Sequence, residues 1–241
     1  MSTGNDRIIG VLGGMGPLAS ADFMVRLTLA HDGARDQDHP QAVLFSATQI
    51  PDRTQAALSG GESPEPALVA GIRLLERAGA GCIAIPCNTA HAWFAAMQGA
   101  TRLPILHIVD AAADALAAAG VGAGTIGIMG TAATLRLGLY QQRLASRGYR
   151  CIVPDEEEMA TKVGRGIAMV KANDLAGAEA PLLSVARALA GRGAASVVLG
   201  CTEIPLALRG ADAGVPLIDS IDALARAALR WWHDPVQGRA R

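Results

Sequence analysis

The 241 residues are 51% hydrophobic and carry a net charge of -1 with no long basic run, so the electrostatic basis for binding nucleic acid or an anionic membrane is missing and a small molecule is the expected partner. A chain of this length buries about 70 to 75% of its unfolded surface and needs neither disulfides nor metal to hold a core. Its four cysteines include no Cys-x-x-Cys pair, which gives neither a disulfide framework nor a zinc knuckle.

The opening residues Met1 to Arg7 lack the basic segment and apolar core of a secretory signal. A cytoplasmic location with free thiols is therefore expected. The most apolar stretch, Ala111 to Met129, contains Asp114 and several glycines, and reads as a helix, a turn and a strand rather than a membrane span.

In chain order, Arg7 to Leu12 is expected to be a strand, Gly13-Gly14-Met15-Gly16-Pro17 a tight turn, and Leu18 to Ala30 a helix opened by proline. A polar loop from Asp32 to Pro40 leads to a strand over Ala42 to Ala47. After a polar segment with Pro51, Gly60, Gly61 and Pro64, a helix runs to Ala78 and a strand runs on to Cys87. A helix containing Trp93, a short strand Pro104 to His107 and a helix Asp110 to Ala119 complete the first half. The second half reads as a strand over Thr125 to Met129, a turn at Gly130 and Thr131, and a helix through Arg147. Next come a strand over Cys151 to Val153, a helix begun by Asp155 to Glu158, and a long helix over Asp174 to Gly191. Ser196 to Leu199 is a strand delivering Cys201, Val215 to Ile218 the last strand, and Asp219 to Trp232 the last helix.

Landmarks recur in the same order. Gly10 precedes Gly127 by 117 residues, Cys87 precedes Cys201 by 114, and the pairs Pro104/Pro216 and Asp110/Asp222 are each 112 apart. This predicts a duplicated α/β architecture of two pseudo-symmetric lobes, each a mainly parallel sheet flanked by helices. The first comprises residues 1–108 plus 219–241 and carries Cys87; the second comprises 109–218 and carries Cys201. In such folds ligands bind at the carboxyl ends of strands, which is where both cysteines fall, so the site is expected between the lobes.

Two thiols facing one carbon acid can remove a proton from one side and return a proton from the other, inverting the centre without a cofactor. An ordinary thiol, with a pKa of about 8.5, is only a few per cent thiolate at pH 7. A helix N-terminus following each cysteine is expected to favour ionisation by at most ~1.5 pKa units. Backbone N–H groups at Asn88, Thr89, Thr202 and Glu203 are placed to neutralise a substrate carboxylate. The turn through Met15 and Gly16 lacks the dinucleotide fingerprint Gly-x-Gly-x-x-Gly and instead suits close approach to a small anion.

The stretches IAIPCNTAHAW and VVLGCTEIPLA resemble the two active-site motifs of the aspartate/glutamate racemase family. The opening GVLGGMGPLASADF, the loop Asp36-Gln37-Asp38-His39 and the segment Ile50-Pro51-Asp52-Arg53-Thr54 are similar to its aspartate racemase branch. The resemblance implies a cofactor-independent two-base isomerase acting on a small acidic amino acid, aspartate ahead of glutamate, and a homodimer. It makes Cys87 and Cys201 the alternate acid and base, has Asn88, Thr89 and Thr202 hold the α-carboxylate, and places Arg53 and Lys171 at the distal carboxylate. The cell-wall glutamate racemases have Asp-Ser-Gly where this chain has Gly13-Gly14-Met15-Gly16, and His where it has Glu203. The superfamily also implies the alternatives of a hydantoin racemase, an arylmalonate decarboxylase, a maleate isomerase and a non-catalytic amino-acid-binding relative.

Other residues carry plainer readings. Cys82 and Cys151 sit within apolar runs and read as inert core residues. His91, four residues after Cys87, shares a helical face with it, but no third ligand has metal-site spacing. Asp36, Asp38 and His39 read as a solvated loop or subunit contact, Trp231 and Trp232 as cover for a hydrophobic seam or dimer face. Glu203 either tunes the proton of Cys201 or is a helix-start carboxylate. Lys171 is one of only two lysines beside nineteen arginines.

Overall fold

The structure, a computed structural model, describes residues 7–234. Met1 to Asp6, read above for the missing secretory signal, and residues 235–241, assigned above to the first lobe, lie outside the described residues.

The chain alternates strand and helix as its apolar pattern predicts. The first run is β1 (Ile8–Gly13), α1 (Pro17–Leu29), β2 (Gln41–Ser46), α2 (Arg53–Ser59), α3 (Glu65–Arg77), β3 (Ala80–Ala84), α4 (Phe94–Gly99), β4 (Ile105–Leu106) and α5 (Ile108–Ala118). The second is β5 (Thr125–Gly130), α6 (Ala132–Arg136), α7 (Leu139–Ala145), β6 (Arg150–Ile152), α8 (Glu156–Glu158), α9 (Gly164–Lys171), α10 (Leu175–Gly191), β7 (Val197–Gly200), α11 (Ile204–Ala207), β8 (Leu217–Asp219) and α12 (Ser220–His233). Two four-stranded parallel sheets result, in the orders β2-β1-β3-β4 and β6-β5-β7-β8. Strands at matching positions of the two repeats occupy matching positions in the two sheets.

Both faces of each sheet are covered, as parallel sheets require. One continuous core joins the sheets: it takes Ile9 and Val11 from β1, Ile126 and Ile128 from β5, Val198 from β7, and the apolar faces of α1, α5 and α12. On the far sides, Leu68, Ile72 and Leu75 of α3 cover Leu12 and Ile83, and Leu182, Val185 and Leu189 of α10 cover Met129 and Val197. Each such fully buried side chain contributes about 1.5 to 3 kcal/mol. Trp231 and Trp232 are buried in the joining core, with Trp231 packed on Gly81. No described helix is long and apolar enough to cross a membrane.

Three local expectations are corrected. The strand expected to reach Cys87 ends at Ala84, and a 3-10 turn over Thr89–Trp93 precedes α4. The segment after Pro51 divides into α2, capped by Asp52, and α3, because Gly60 takes a left-handed conformation between them. The helix expected through Arg147 breaks at Gly138, also left-handed with φ 66°. Between α8 and α9 the chain passes through a π-turn at Met159–Val163.

Candidate active site

β7 delivers Cys201 directly, while Cys87 lies three residues beyond β3. Both line a single cleft at the carboxyl ends of the two sheets, together with Met15, Arg53, Asn88, Thr89, Lys171, Thr202 and Glu203. Every sequence-nominated residue except Gly16 is therefore on its wall. Gly16 stands just behind: a Cβ there would come within 3.2 Å of Glu203 Oε1. The enclosed space is small, about 20 Å³, and Thr54, Thr131 and Lys171 also border a larger neighbouring groove of about 780 Å³.

The turn before α1 is held by Ser20, whose Oγ accepts from Gly14 N–H and donates to Gly16 O, each at 2.8 Å. Gly14 has φ 89°, and a Cβ there would meet the Ala47 backbone at 2.5 Å, so only glycine fits.

The two thiols differ in their charged neighbours. Cys201 Sγ donates to Glu203 Oε2 at 3.0 Å, and Thr202 Oγ1 donates to the same oxygen at 3.3 Å. Burial first, then the charge and hydrogen bond of Glu203, push the Cys201 thiol well above its ordinary value. Burial also pushes Cys87 up, but Arg53 and the Ala90 backbone N–H draw it back. The backbone N–H groups that follow the cysteines, Ala90 for Cys87 and Glu203 for Cys201, draw the thiols down as expected, but burial is the larger cause and leaves both raised. The following segments, Thr89–Trp93 and Ile204–Ala207, are short turns.

Asn88 does not cap the turn that follows it. Its Oδ1 accepts from Tyr140 Oη at 2.7 Å and its Nδ2 donates to Ser220 Oγ at 3.1 Å, while Ser220 donates on to Leu199 O in β7. Thr89 Oγ1 lies 2.9 Å from Thr131 Oγ1 and 3.0 Å from Thr134 Oγ1. The loop carrying Cys87 is thereby tied through buried polar contacts to the second half of the chain. Tyr140, Thr131, Thr134 and Ser220 escaped sequence reasoning; only Thr131 carried a signal, since the 117-residue offset maps it onto Gly14. Asp52 and Thr54, also on the cleft wall, flank the nominated Arg53.

Arg53 Nη1 donates to the carbonyls of Ile50 and Pro51, each at 3.0 Å, which orients the guanidinium beside Cys87. Lys171 is exposed and has no ion-pair partner among the described residues. His91 is off the cleft, with Nε2 3.3 Å from Ile85 O and its ring 4.6 Å from that of His107. Burial, then His107, push its pKa down to about 3, so it is neutral. Asp38 is paired with Arg35 at 2.6 Å. Among the described residues no group of three His, Cys, Asp or Glu side chains is arranged to hold a metal.

Comparison with known proteins gives a consistent picture. The Asp/Glu/Hydantoin racemase family model matches residues 12–228. The broad specificity amino-acid racemase RacX of Bacillus subtilis (strain 168) is 27% identical over 227 residues, covering 92% of this chain and 96% of that protein. The aspartate racemase of Picrophilus torridus superposes with a TM-score of 0.84 at 33% identity, covering 94% of each chain. An aspartate racemase homologue from Pyrococcus horikoshii OT3 superposes with a TM-score of 0.76 at 25% identity, covering 95% of this chain and all of the other.

Proposed function

The chain belongs to the Asp/Glu/Hydantoin racemase family, and on that premise we propose that it is a cofactor-independent amino-acid isomerase interconverting L- and D-aspartate, with glutamate as a further substrate. The observation that carries the reading is the pair Cys87 and Cys201 on the walls of one cleft, each following the carboxyl end of an equivalent strand.

In this reading one thiolate takes the α-proton, the electron pair left on Cα spreads into the α-carboxylate, and the opposite thiol returns a proton to the other face. Reaction of the other enantiomer exchanges the roles. Asn88, Thr89 and Thr202 hold the α-carboxylate while negative charge builds on it, and this preorganised polarity supplies the largest share of the barrier reduction. Arg53 and Lys171 meet the distal carboxylate. The adjoining groove meets the cleft at Thr54, Thr131 and Lys171 and offers a route in. The proposal includes a division into lobes of residues 1–108 with 219–241 and residues 109–218, a homodimeric assembly and a cytoplasmic location.

The test is chiral chromatography of L- and of D-aspartate incubated with the protein in the absence of pyridoxal phosphate, beside Cys87→Ala and Cys201→Ala. Inversion from both sides by the parent and a loss of at least about 1,000-fold in each variant support it. Near-parental turnover in either variant rules out the two-base scheme.

A further inference from the structure

Glu203 is a buried carboxylate with one oxygen idle. Oε2 accepts from Cys201 and Thr202, whereas Oε1 is buried with no hydrogen-bond partner. The residue is 5% exposed and lines the cysteine cleft. An unmet carboxylate oxygen in such surroundings is costly until a donor reaches it. Gly16, just behind the cleft wall, lies beside Oε1, and a Cβ there would come within 3.2 Å of it.

We propose that Glu203 recognises the substrate α-ammonium, with Oε1 accepting one of its N–H hydrogens, and that this contact restricts the site to amino acids. The inference deepens the racemase reading and rests on it. Because the ammonium is one bond from Cα, anchoring it on the hydrogen-bond partner of Cys201 brings the α-carbon to that sulfur. Charge agrees as well. The remaining carboxylate on the wall, Asp52, is exposed and caps α2 by accepting from Gln55 N–H. Arg53, Lys171 and Glu203 then leave one net positive charge, which complements two carboxylates and one ammonium. A dicarboxylate lacking the amine meets the buried negative charge of Glu203 with nothing to offset it, and an uncharged ring leaves all three groups unmatched. The ammonium also offsets the charge that holds the proton on Cys201. That thiol therefore ionises more readily with substrate present than without it.

Calorimetric titration of the whole protein with L-aspartate, D-aspartate and succinate, which matches aspartate except for the amine, separates this role from others. Glu203→Gln should weaken both aspartate enantiomers by about 10- to 100-fold while leaving succinate unchanged or tighter. Gly16→Ala supplies a second variant with Glu203 intact: its methyl would lie 3.2 Å from Oε1 and should shift the preference from aspartate towards succinate. Equal weakening of aspartate and succinate, or an unchanged preference, overturns the inference. A Glu203 that only relays the Cys201 proton would give that second result with lowered turnover. A parent that binds neither ligand overturns the acidic-substrate reading and this inference together. A parent that binds aspartate with the amine preference, yet exchanges no α-hydrogen, overturns the racemase reading alone.

Discussion

Cys201 and Glu203, two positions apart in the chain, share a hydrogen bond of 3.0 Å in which the thiol is the donor. Cys87, its counterpart in the repeat, has the Arg53 guanidinium as its largest favourable influence. The fold is duplicated, but the electrostatics of its two thiols are not.

This inequality sets the order of thiol reactivity. Glu203 raises Cys201, so Glu203→Gln should move the alkylation profile of Cys201 to lower pH. Arg53 lowers Cys87, so Arg53→Met should move that of Cys87 to higher pH. Mass spectrometry of iodoacetamide-treated protein between about pH 7 and 11 reads both peptides. Profiles unmoved by the substitutions would mean that desolvation alone governs the thiols.

Tyr140 is a positioning residue for Asn88. Tyr140→Phe leaves Asn88 Oδ1 buried without its 2.7 Å donor and should cost about 1 to 3 kcal/mol of stability. With the amide free to turn, KM for aspartate should rise several-fold while the alkylation profiles of the cysteines stay in place. A fall in stability with parental KM would restrict Tyr140 to a packing role.

Lys171 stands exposed where the cleft adjoins the larger groove. Solvent screening limits its value there, so Lys171→Met should raise KM for aspartate by about 3- to 10-fold and change kcat less. An unchanged KM would remove Lys171 from contact with the distal carboxylate.

The legible part of this protein was its local and repeated part. Val197 to Cys201 and Ile83 to Cys87 announce buried strands leading to thiols, although β3 stops at Ala84, and the offsets of 112 to 117 residues reproduce the matching strand orders of the two sheets. All nominated residues but Gly16 share the cleft wall: the cysteines and their neighbours follow strand ends that converge in parallel sheets, whereas Arg53 opens α2 and Lys171 closes α9. What escaped was long-range. Tyr140 and Ser220 meet Asn88 from 52 and 132 residues away, and neither sits in a motif or period that points to it. The rise of both thiols is not legible in the sequence because burial, its largest cause, depends on tertiary packing, whereas the backbone N–H groups after the cysteines are a local feature.

Buried His91 and half-buried His107 form a second pair, with rings 4.6 Å apart, both pushed down to about 3 by desolvation first. The unfolded chain takes up these protons below about pH 6.5 and the folded chain only near the depressed value, so stability is lost as pH falls between the two. Chemical denaturation at pH 6.5 and 4 should differ by on the order of 2 kcal/mol more in the parent than in His107→Asn, which keeps a capping side chain for α5. An identical acid slope in the two proteins would assign the acid loss to other groups.

The most direct test of two-base racemisation is the isotopic composition of both enantiomers at early conversion in deuterated water. L-aspartate offered to the protein should yield D-aspartate carrying one deuterium at Cα while the remaining L-aspartate stays protiated, and the reverse should hold from D-aspartate. Deuterium appearing equally in recovered substrate and product would indicate a single exchanging base and contradict the assignment of Cys87 and Cys201 to opposite faces.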